Sequence, residues 1–250
     1  MSGHSKWANI KHRKAAQDAK KGNLFQKLVR AIIVAAKEGG GDPSMNIRLK
    51  TAIDRAKAAS VPNDNITRAI KRGTGEIDGA SYEEVLYEGY GSGGIAILID
   101  ALTDNRNRTA AELRAILSRN GGSLGESGCV AWMFERKGVL FVKGKDLDEE
   151  ELLINTIDAG AEDLEKEEGG FSLYCDPSNL TMLKQTVEEN GYLLEKAEIE
   201  MIPKTTMAVD TMEKAQKILK LMDLLEEQDD VQNVYSNFDI PEELMDEIED

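Results

Sequence analysis

The sequence predicts an α+β protein in which an N-terminal three-helix module is followed by two ferredoxin-like α+β domains, the third domain inserted into the second. Three observations lead to this prediction. Apolar residues recur with a helical period between residues 23 and 72, and the period changes to that of strands from Tyr82. Residues 139–202 follow the order β-α-β-β-α-β. A last helix and strand, after residue 204, are expected to return to the sheet begun earlier.

Three short helices are predicted in the module, at Asn23–Lys37, Ser44–Ala59 and Asn63–Arg72, with Asn23 as an N-cap and Gly73 as a C-cap. Each helix carries an apolar stripe. The stripes are Phe25, Leu28, Val29, Ile32 and Ala36, then Leu49, Ala52, Ile53 and Ala56, then Ile66, Ala69 and Ile70. Because helices this short are not stable alone, we expect them to pack on these stripes and leave their basic residues outside.

The second domain is predicted to begin with a hairpin of two strands, Glu84–Tyr90 and Ile95–Leu102, joined by a glycine-rich turn. A glycine string that begins at Gly89 lies between two strands instead of preceding a helix. It therefore indicates a turn and not a phosphate-binding loop. A helix at Asn107–Asn120 and a strand at Val130–Glu135 follow.

The third domain is predicted from four strands and two helices. The strands are Val139–Val142, Ala161–Glu165, Phe171–Tyr174 and Leu193–Met201, and the helices are Leu147–Ala159 and Pro177–Asn190. A helix at Asp210–Glu227 and a strand at Val231–Phe238 complete the second domain. The expected limits are 1–75 for the module, 76–137 with 204–240 for the second domain, 138–203 for the third, and 241–250 for an acidic tail that frays.

Charge is divided very unevenly along the chain. Residues 1–75 carry 16 Lys and Arg against 5 acids, a net charge of +11, whereas residues 76–250 carry 15 against 41, a net charge of −26. Such asymmetry is typical of a polyanion-binding module attached to an acidic body. The alternative is a solvated basic face without a partner.

Candidate nucleic-acid contacts lie in a basic arm, residues 1–21, and on the outer faces of the three helices. Trp7 can stack on a base or dock the arm on its own domain. The full set is Lys6, Trp7, Lys11, His12, Arg13, Lys14, Lys20, Lys21, Arg48, Lys50, Arg55, Lys57, Arg68, Lys71 and Arg72.

The sequence offers no convincing catalytic set, so we expect no enzyme, no metal and no cofactor. Cys129 and Cys175 are 46 residues apart, and the two histidines, His4 and His12, both lie near the N-terminus. Asp100 and Asp104 are expected to pair with nearby arginines. No apolar run approaches the roughly 18 residues of a membrane span, and the N-terminus does not resemble a signal peptide, so we expect a cytoplasmic protein. A monomer is favoured.

The opening string from Ser2 to Lys14, SGHSKWANIKHRK, resembles that of the YebC/PmpR-like family. Further segments are similar to its other signatures: VPNDNI from Val61, AIKRG from Ala69, YEGYG from Tyr87 and TDNRNRT from Thr103. The resemblance covers residues 1 to about 240, and Ser92 stands where many members have proline.

The resemblance implies a three-domain α+β protein that binds nucleic acid and has no enzymatic activity. Family members are assigned as probable transcriptional regulators that bind DNA, and one is a mitochondrial translational activator of a cytochrome oxidase subunit. The alternative to a DNA partner is therefore the ribosome and its RNA, with a role in relieving stalling at stretches such as consecutive prolines. A third possibility is a scaffold whose acidic domains bind basic proteins.

Overall fold

The computed structural model describes residues 21–144, 146–167 and 169–249. Its N-terminal part is a bundle of three helices, α1 (Lys21–Gly39), α2 (Ile47–Ala58) and α3 (Asn63–Gly73), which we call the helical module. The bundle has one core, to which each helix contributes its predicted stripe. The buried residues are Ile32, Ile33, Ala35, Ala36, Leu49, Ala52, Ile53, Ala56, Val61, Ile66 and Ala69. The three predicted helices are confirmed, but α1 begins at Lys21, so Asn23 lies inside the helix and is not its N-cap.

Helix α2 begins three residues later than predicted because Asn46 caps it. The Asn46 side chain accepts a hydrogen bond from the backbone N–H of Leu49 and donates to the carbonyl oxygens of Ala35 and Gly40, both at 2.8 Å. The backbone of Asn46 is extended, as an N-cap requires. Residues 42–46 therefore form a turn instead of the first turn of the helix.

Gly73 does not have the predicted role of C-cap, since it is the last residue of α3 and Thr74 is the cap. The physical reason for glycine is close packing against α1. A Cβ on Gly73 would lie 2.5 Å from the carbonyl oxygen of Ile33 and 2.6 Å from the Cβ of Ala36. The missing side chain lets the two helices approach.

The second domain is built on a four-stranded sheet of order β3-β1-β2-β9. Its strands are β1 (Glu83–Tyr90), β2 (Ala96–Thr103), β3 (Ser123–Leu124) and β9 (Val231–Ser236), and its helices are α4 (Arg106–Arg119) and α7 (Met212–Glu227). The β1–β2 hairpin is antiparallel, with Glu83 opposite Thr103 and Tyr90 opposite Ala96. Because β9 lies beside β2, the predicted return of the last strand to this sheet is confirmed.

The third domain has the strand order β5-β6-β4-β7, with all neighbours antiparallel, as the ferredoxin-like plan requires. Its elements are β4 (Phe134–Lys143), α5 (Glu149–Ile157), β5 (Ala161–Glu167), β6 (Gly170–Cys175), α6 (Leu180–Glu189) and β7 (Leu193–Pro203). Leu140, Leu152, Phe171, Leu173 and Leu183 are buried in its core. The β-α-β-β-α-β order is confirmed.

The predicted strands Val130–Glu135 and Val139–Val142 are not two separate strands. Residues 131–133 form a 3-10 turn, and β4 then runs without a break to Lys143, paired with β7 along its length. The polar residues 135–137 and Gly138 resemble a loop in sequence. Gly138 is instead a close-packing position, because a Cβ there would lie 2.6 Å from the Cys175 sulfur.

The last part of the chain contains regular elements where the sequence predicted only an acidic tail. Short strands β8 (Met207–Ala208) and β10 (Phe238–Asp239) pair in parallel, and α8 (Glu242–Glu249) follows. Helix α8 has an apolar side in addition to its acidic residues, since Met245 is 1% exposed. By compactness, residues 21–129 with 216–234 form one unit, and residues 130–215 with 235–249 form another. Within the described ranges, no helix is long and apolar enough to cross a membrane.

Candidate nucleic-acid interface

Helix α3 presents three cations to solvent at its C-terminal half. Arg68, Lys71 and Arg72 are exposed, while Ile66 and Ala69 on the opposite side are buried. Arg68 and Arg72, one turn apart, border a hollow of about 210 Å³ against α1. Within the described ranges, none of the three side chains has a hydrogen bond or ion pair. Lys71 and Arg72 also lie in the last turn, where cations stabilise a helix, so part of their role is structural.

A second cationic site is the cleft between α2 and α3. The cleft has a volume of about 570 Å³, and Lys50 and Lys57 lie along its α2 side together with Asp54. Asn63 and Thr67 contribute hydrogen-bonding groups from α3. As with the α3 cations, the structure gives Lys50 and Lys57 no partner among the residues it describes. Their ammonium groups can therefore pair with phosphate oxygens without breaking an existing contact.

Arg48 lies on the other flank of α2 and is already engaged. Its guanidinium pairs with Glu38 of α1 and Glu84 of β1. Arg55 lies on the same flank and also has an interaction within the protein. The structure thus separates the candidate residues on the helices into an open group, Lys50, Lys57, Arg68, Lys71 and Arg72, and a pair that makes contacts within the fold.

Seven of the candidate residues in the basic arm lie outside the described residues. They are Lys6, Trp7, Lys11, His12, Arg13, Lys14 and Lys20. The backbone of Lys21 opens α1, but its side chain is likewise not among those described. Their proposed part in binding stays a prediction.

Two further cations of α1, which sequence reasoning did not single out, hold the helical module on the second domain. Lys27 donates to the carbonyl oxygen of Glu226, and Arg30 donates to that of Asp229. Asn23 donates to the carbonyl oxygen of Glu227 at 2.8 Å. The acceptors lie at and just beyond the C-terminal end of α7, where unpaired carbonyls carry partial negative charge. These contacts use positive charge for docking and not for ligand binding.

Asp230 is the centre of this docking site and was also missed from the sequence. Its side chain is 2% exposed and pairs with Arg30 of α1 and Arg108 of α4, both at 2.8 Å. The hydroxyl of Thr109 donates to the same carboxylate at 2.7 Å. The sequence contains one signal for this site, which is that Arg30 lies between two residues of the apolar stripe of α1, Val29 and Ile32. A cation in that position needs an acidic partner.

The ionisation of Asp230 follows from these partners. Burial alone would raise the pKa of its carboxyl, but hydrogen bonds from Arg108 and Thr109 and the charge of Arg30 outweigh burial. The pKa therefore lies below its ordinary value. At neutral pH the site is an ionised, buried carboxylate held by two guanidinium groups.

Comparison with known proteins identifies the family of the chain. Residues 5–76 match the family model described as the TACO1/YebC protein N-terminal domain, and residues 82–238 match that of the TACO1/YebC second and third domain. The chain belongs to the TACO1/YebC family. The family resemblance identified from the sequence motifs is confirmed.

Members of the TACO1/YebC family align with nearly the entire chain. A protein of Halothermothrix orenii is 56% identical over 250 residues, with 99% of each chain covered, and one of Dictyoglomus thermophilum is 54% identical with 98% of each covered. Both are named probable transcriptional regulatory protein. A crystal structure of a conserved hypothetical protein from Aquifex aeolicus has a TM-score of 0.81 and 50% identity, covering 90% of this chain and 93% of its own. This likeness confirms the α+β fold.

The two cysteines and the acidic residues in and just after β2 have burial and partners that account for them structurally. Burial raises the pKa of the Cys175 thiol to about 11, and burial also raises that of Cys129. Asp104 pairs with Arg108 at 3.0 Å, as expected, whereas Asp100 accepts a hydrogen bond from Asn233 at 3.3 Å. Arg106 pairs with Glu83 at 2.7 Å. Within the described ranges, no three His, Cys, Asp or Glu residues are grouped to hold a metal ion.

Proposed function

We propose that this protein is a nucleic-acid-binding regulator of gene expression that acts in the cytoplasm, with DNA as the partner in a transcriptional role. One observation carries the proposal. The helical module turns five cations, Lys50, Lys57, Arg68, Lys71 and Arg72, to solvent, with no partner for them in the described part of the chain. The regulator name of the relatives supports the same role.

Phosphate contacts provide most of the recognition in this proposal. Lysine and arginine side chains on two neighbouring helices can neutralise phosphates along one backbone, which gives affinity without sequence information. Helix α3 has only 11 residues, and its three exposed cations lie within its C-terminal half, a short stretch for several paired contacts to base edges. We therefore expect recognition of backbone and shape, with weak dependence on base sequence.

The acidic remainder of the chain gives the complex its orientation. Residues 76–250 carry a net charge of −26 and are repelled by phosphate, whereas the module is attracted. Nucleic acid is therefore expected to contact the module alone. A scaffold role for the acidic domains is not required by this arrangement.

The alternative is a ribosome-associated translation factor that relieves stalling, for example at proline-rich stretches. The same charge division favours it, because a basic head and an acidic body would give a defined orientation on a large structured RNA. Phosphate contacts do not separate DNA from RNA, and RNA recognition depends strongly on shape and unpaired segments.

One experiment tests the function and separates the two partners. Cell lysate is sedimented through a gradient, and binding of promoter DNA is measured in parallel, for the intact protein and for a variant with Arg68, Lys71 and Arg72 all changed to Gln. Co-sedimentation with ribosomal particles that the triple change abolishes supports the translation role. Promoter binding that the change abolishes, without co-sedimentation, supports the transcriptional role. If the triple change alters neither co-sedimentation nor promoter binding, both the translation role and the transcriptional role are contradicted.

A further inference from the structure

The turn before α2 and the first residue of α2 each present a large apolar side chain to solvent. Met45 is 83% exposed and Ile47 is 73% exposed, the highest fractions for large apolar residues in the part of the chain that the structure describes. Single exposed apolar residues are common on protein surfaces. Here two of them lie on either side of a buried capping residue, Asn46, and we call this pair the apolar projection.

The projection is held rigidly by its own turn. Asn46, between the two residues, is 6% exposed and bonds to the carbonyl oxygens of Ala35 and Gly40. Asp42 accepts hydrogen bonds from the backbone N–H and the hydroxyl of Ser44, at 2.9 and 2.7 Å. A Cβ on Gly41 would lie 2.8 Å from the Thr74 side chain, so the turn also packs against the end of α3. Because these contacts already fix the backbone of the turn, binding costs the backbone little further conformational entropy.

Cations border this projection on one side. Ile47, Lys50 and Lys57 follow each other at i, i+3 and i+10 and therefore share one face of α2. Ser44 of the turn and both lysines line the same α2–α3 cleft. The surface thus combines exposed apolar groups with ammonium groups a few residues away.

We propose that Met45 and Ile47 form an apolar wedge that contacts an unpaired or unstacked base, while Lys50 and Lys57 hold the flanking phosphates. The proposal rests on the nucleic-acid-binding function above and adds the kind of site that the module selects. Methionine and isoleucine are among the residues that insert between base steps, and the unstacking energy is smallest where the base is already unpaired. The lysines favour nucleic acid over a protein partner, because they supply what phosphates need.

The test uses the intact protein and two oligonucleotide duplexes, one with an unpaired bulge and one fully paired. A fluorescent adenine analogue beside the bulge reports unstacking, and titration gives both affinities. We expect the bulged duplex to bind about tenfold more tightly, as partial burial of two apolar side chains allows, and its fluorescence to change. Met45→Ser combined with Ile47→Thr should remove that preference and the fluorescence change while leaving the affinity for the paired duplex unaltered.

Two controls make the result specific. Ile154→Thr changes an isoleucine that is 70% exposed in the third domain and should have no effect. Lys50→Gln combined with Lys57→Gln should weaken both duplexes equally. Since Met45 and Ile47 are exposed, the thermal midpoint of the double variant should match that of the parent.

The outcomes separate the wedge from the function it rests on. If the parent binds both duplexes equally, or if the double variant keeps the preference, the wedge is wrong while nucleic-acid binding stands, and the apolar surface is then left for a protein partner. If the parent binds neither duplex at any salt concentration, both the wedge and the proposed function are wrong.

Discussion

Changing Asp230 to Asn is expected to loosen the helical module from the second domain. The carboxylate, 2% exposed, pairs at 2.8 Å with Arg30, whose side chain is 14% exposed, and with Arg108, whose side chain is 44% exposed. Asparagine keeps the shape and a carbonyl oxygen, but it removes the negative charge. Arg30 would then be left nearly buried without its counter-ion.

The magnitude follows from the two environments. Removing one partner of a fully buried ion pair costs about 3–5 kcal/mol. Because water reaches the half-exposed Arg108 and screens its pair with Asp230, the expected loss in the free energy of unfolding for Asp230→Asn is smaller, about 2–3 kcal/mol. In a chain of this length, such a loss corresponds to a fall in thermal midpoint of about 4–12 °C.

Hydrogen exchange of the intact protein locates the effect. Amides of α1 and of residues 228–231 should exchange faster in Asp230→Asn, while those of β4 to β7 keep the rates of the parent. Asp210→Asn is the matched control, since Asp210 pairs with Lys214 at the surface with 69% of its side chain exposed. Unchanged protection of α1, or an equal effect of the control, would refute the role given to Asp230.

Three further predictions follow from single residues. Gly73→Ala should destabilise the protein by about 1–3 kcal/mol in urea unfolding, because the added Cβ would meet the backbone of α1. Gly22→Ala is the control, since Gly22 has open space around it, and this variant should be neutral or stabilising. A Gly73→Ala variant more stable than the parent would contradict the close packing. The pKa of Asp230 in the folded protein lies below the ordinary value of 3.8, so the stabilisation from its carboxylate is complete above pH 3.8 and is lost as the pH falls through the folded pKa. The difference in free energy of unfolding between the parent and Asp230→Asn should therefore shrink in acid. A difference that stays constant with pH would contradict this ionisation. In the native protein at pH 8, a thiol reagent should modify partly exposed Cys129 before buried Cys175, whose pKa is about 11; faster labelling of Cys175 would contradict its burial.

The sequence was sufficient for the fold wherever a regular apolar period met a clear stop. The stripe Leu49, Ala52, Ile53 and Ala56 is buried as predicted, and the order of elements in the third domain is correct. It was insufficient where one residue has two physical uses. Gly73 resembles a helix cap but serves close packing, and Gly138 resembles a loop but lies within β4.

For the candidate site, the sequence predicted the outward direction of the cations but not which of them are already paired. Arg48 has a counter-ion on β1, a partner 36 residues away that helical geometry within the module does not predict. Asp230 and Arg30 are 200 residues apart, and neither residue alone has a pattern that indicates the other. Long-range ion pairs depend on how domains dock, and a local period contains no information about that.

The salt dependence of nucleic-acid affinity tests the central claim most directly. For the intact protein on duplex DNA or structured RNA, the logarithm of affinity should fall with the logarithm of salt concentration with a slope of roughly −5 to −7, as expected for about 6–8 phosphate contacts. Changing Arg68, Lys71 and Arg72 to Gln should make the slope shallower by about 3. The same change at three exposed arginines outside the module, Arg114, Arg119 and Arg136, alters net charge equally and should leave the slope unchanged. An affinity independent of salt, or equal slopes for the two triple variants, would contradict binding through the helical module.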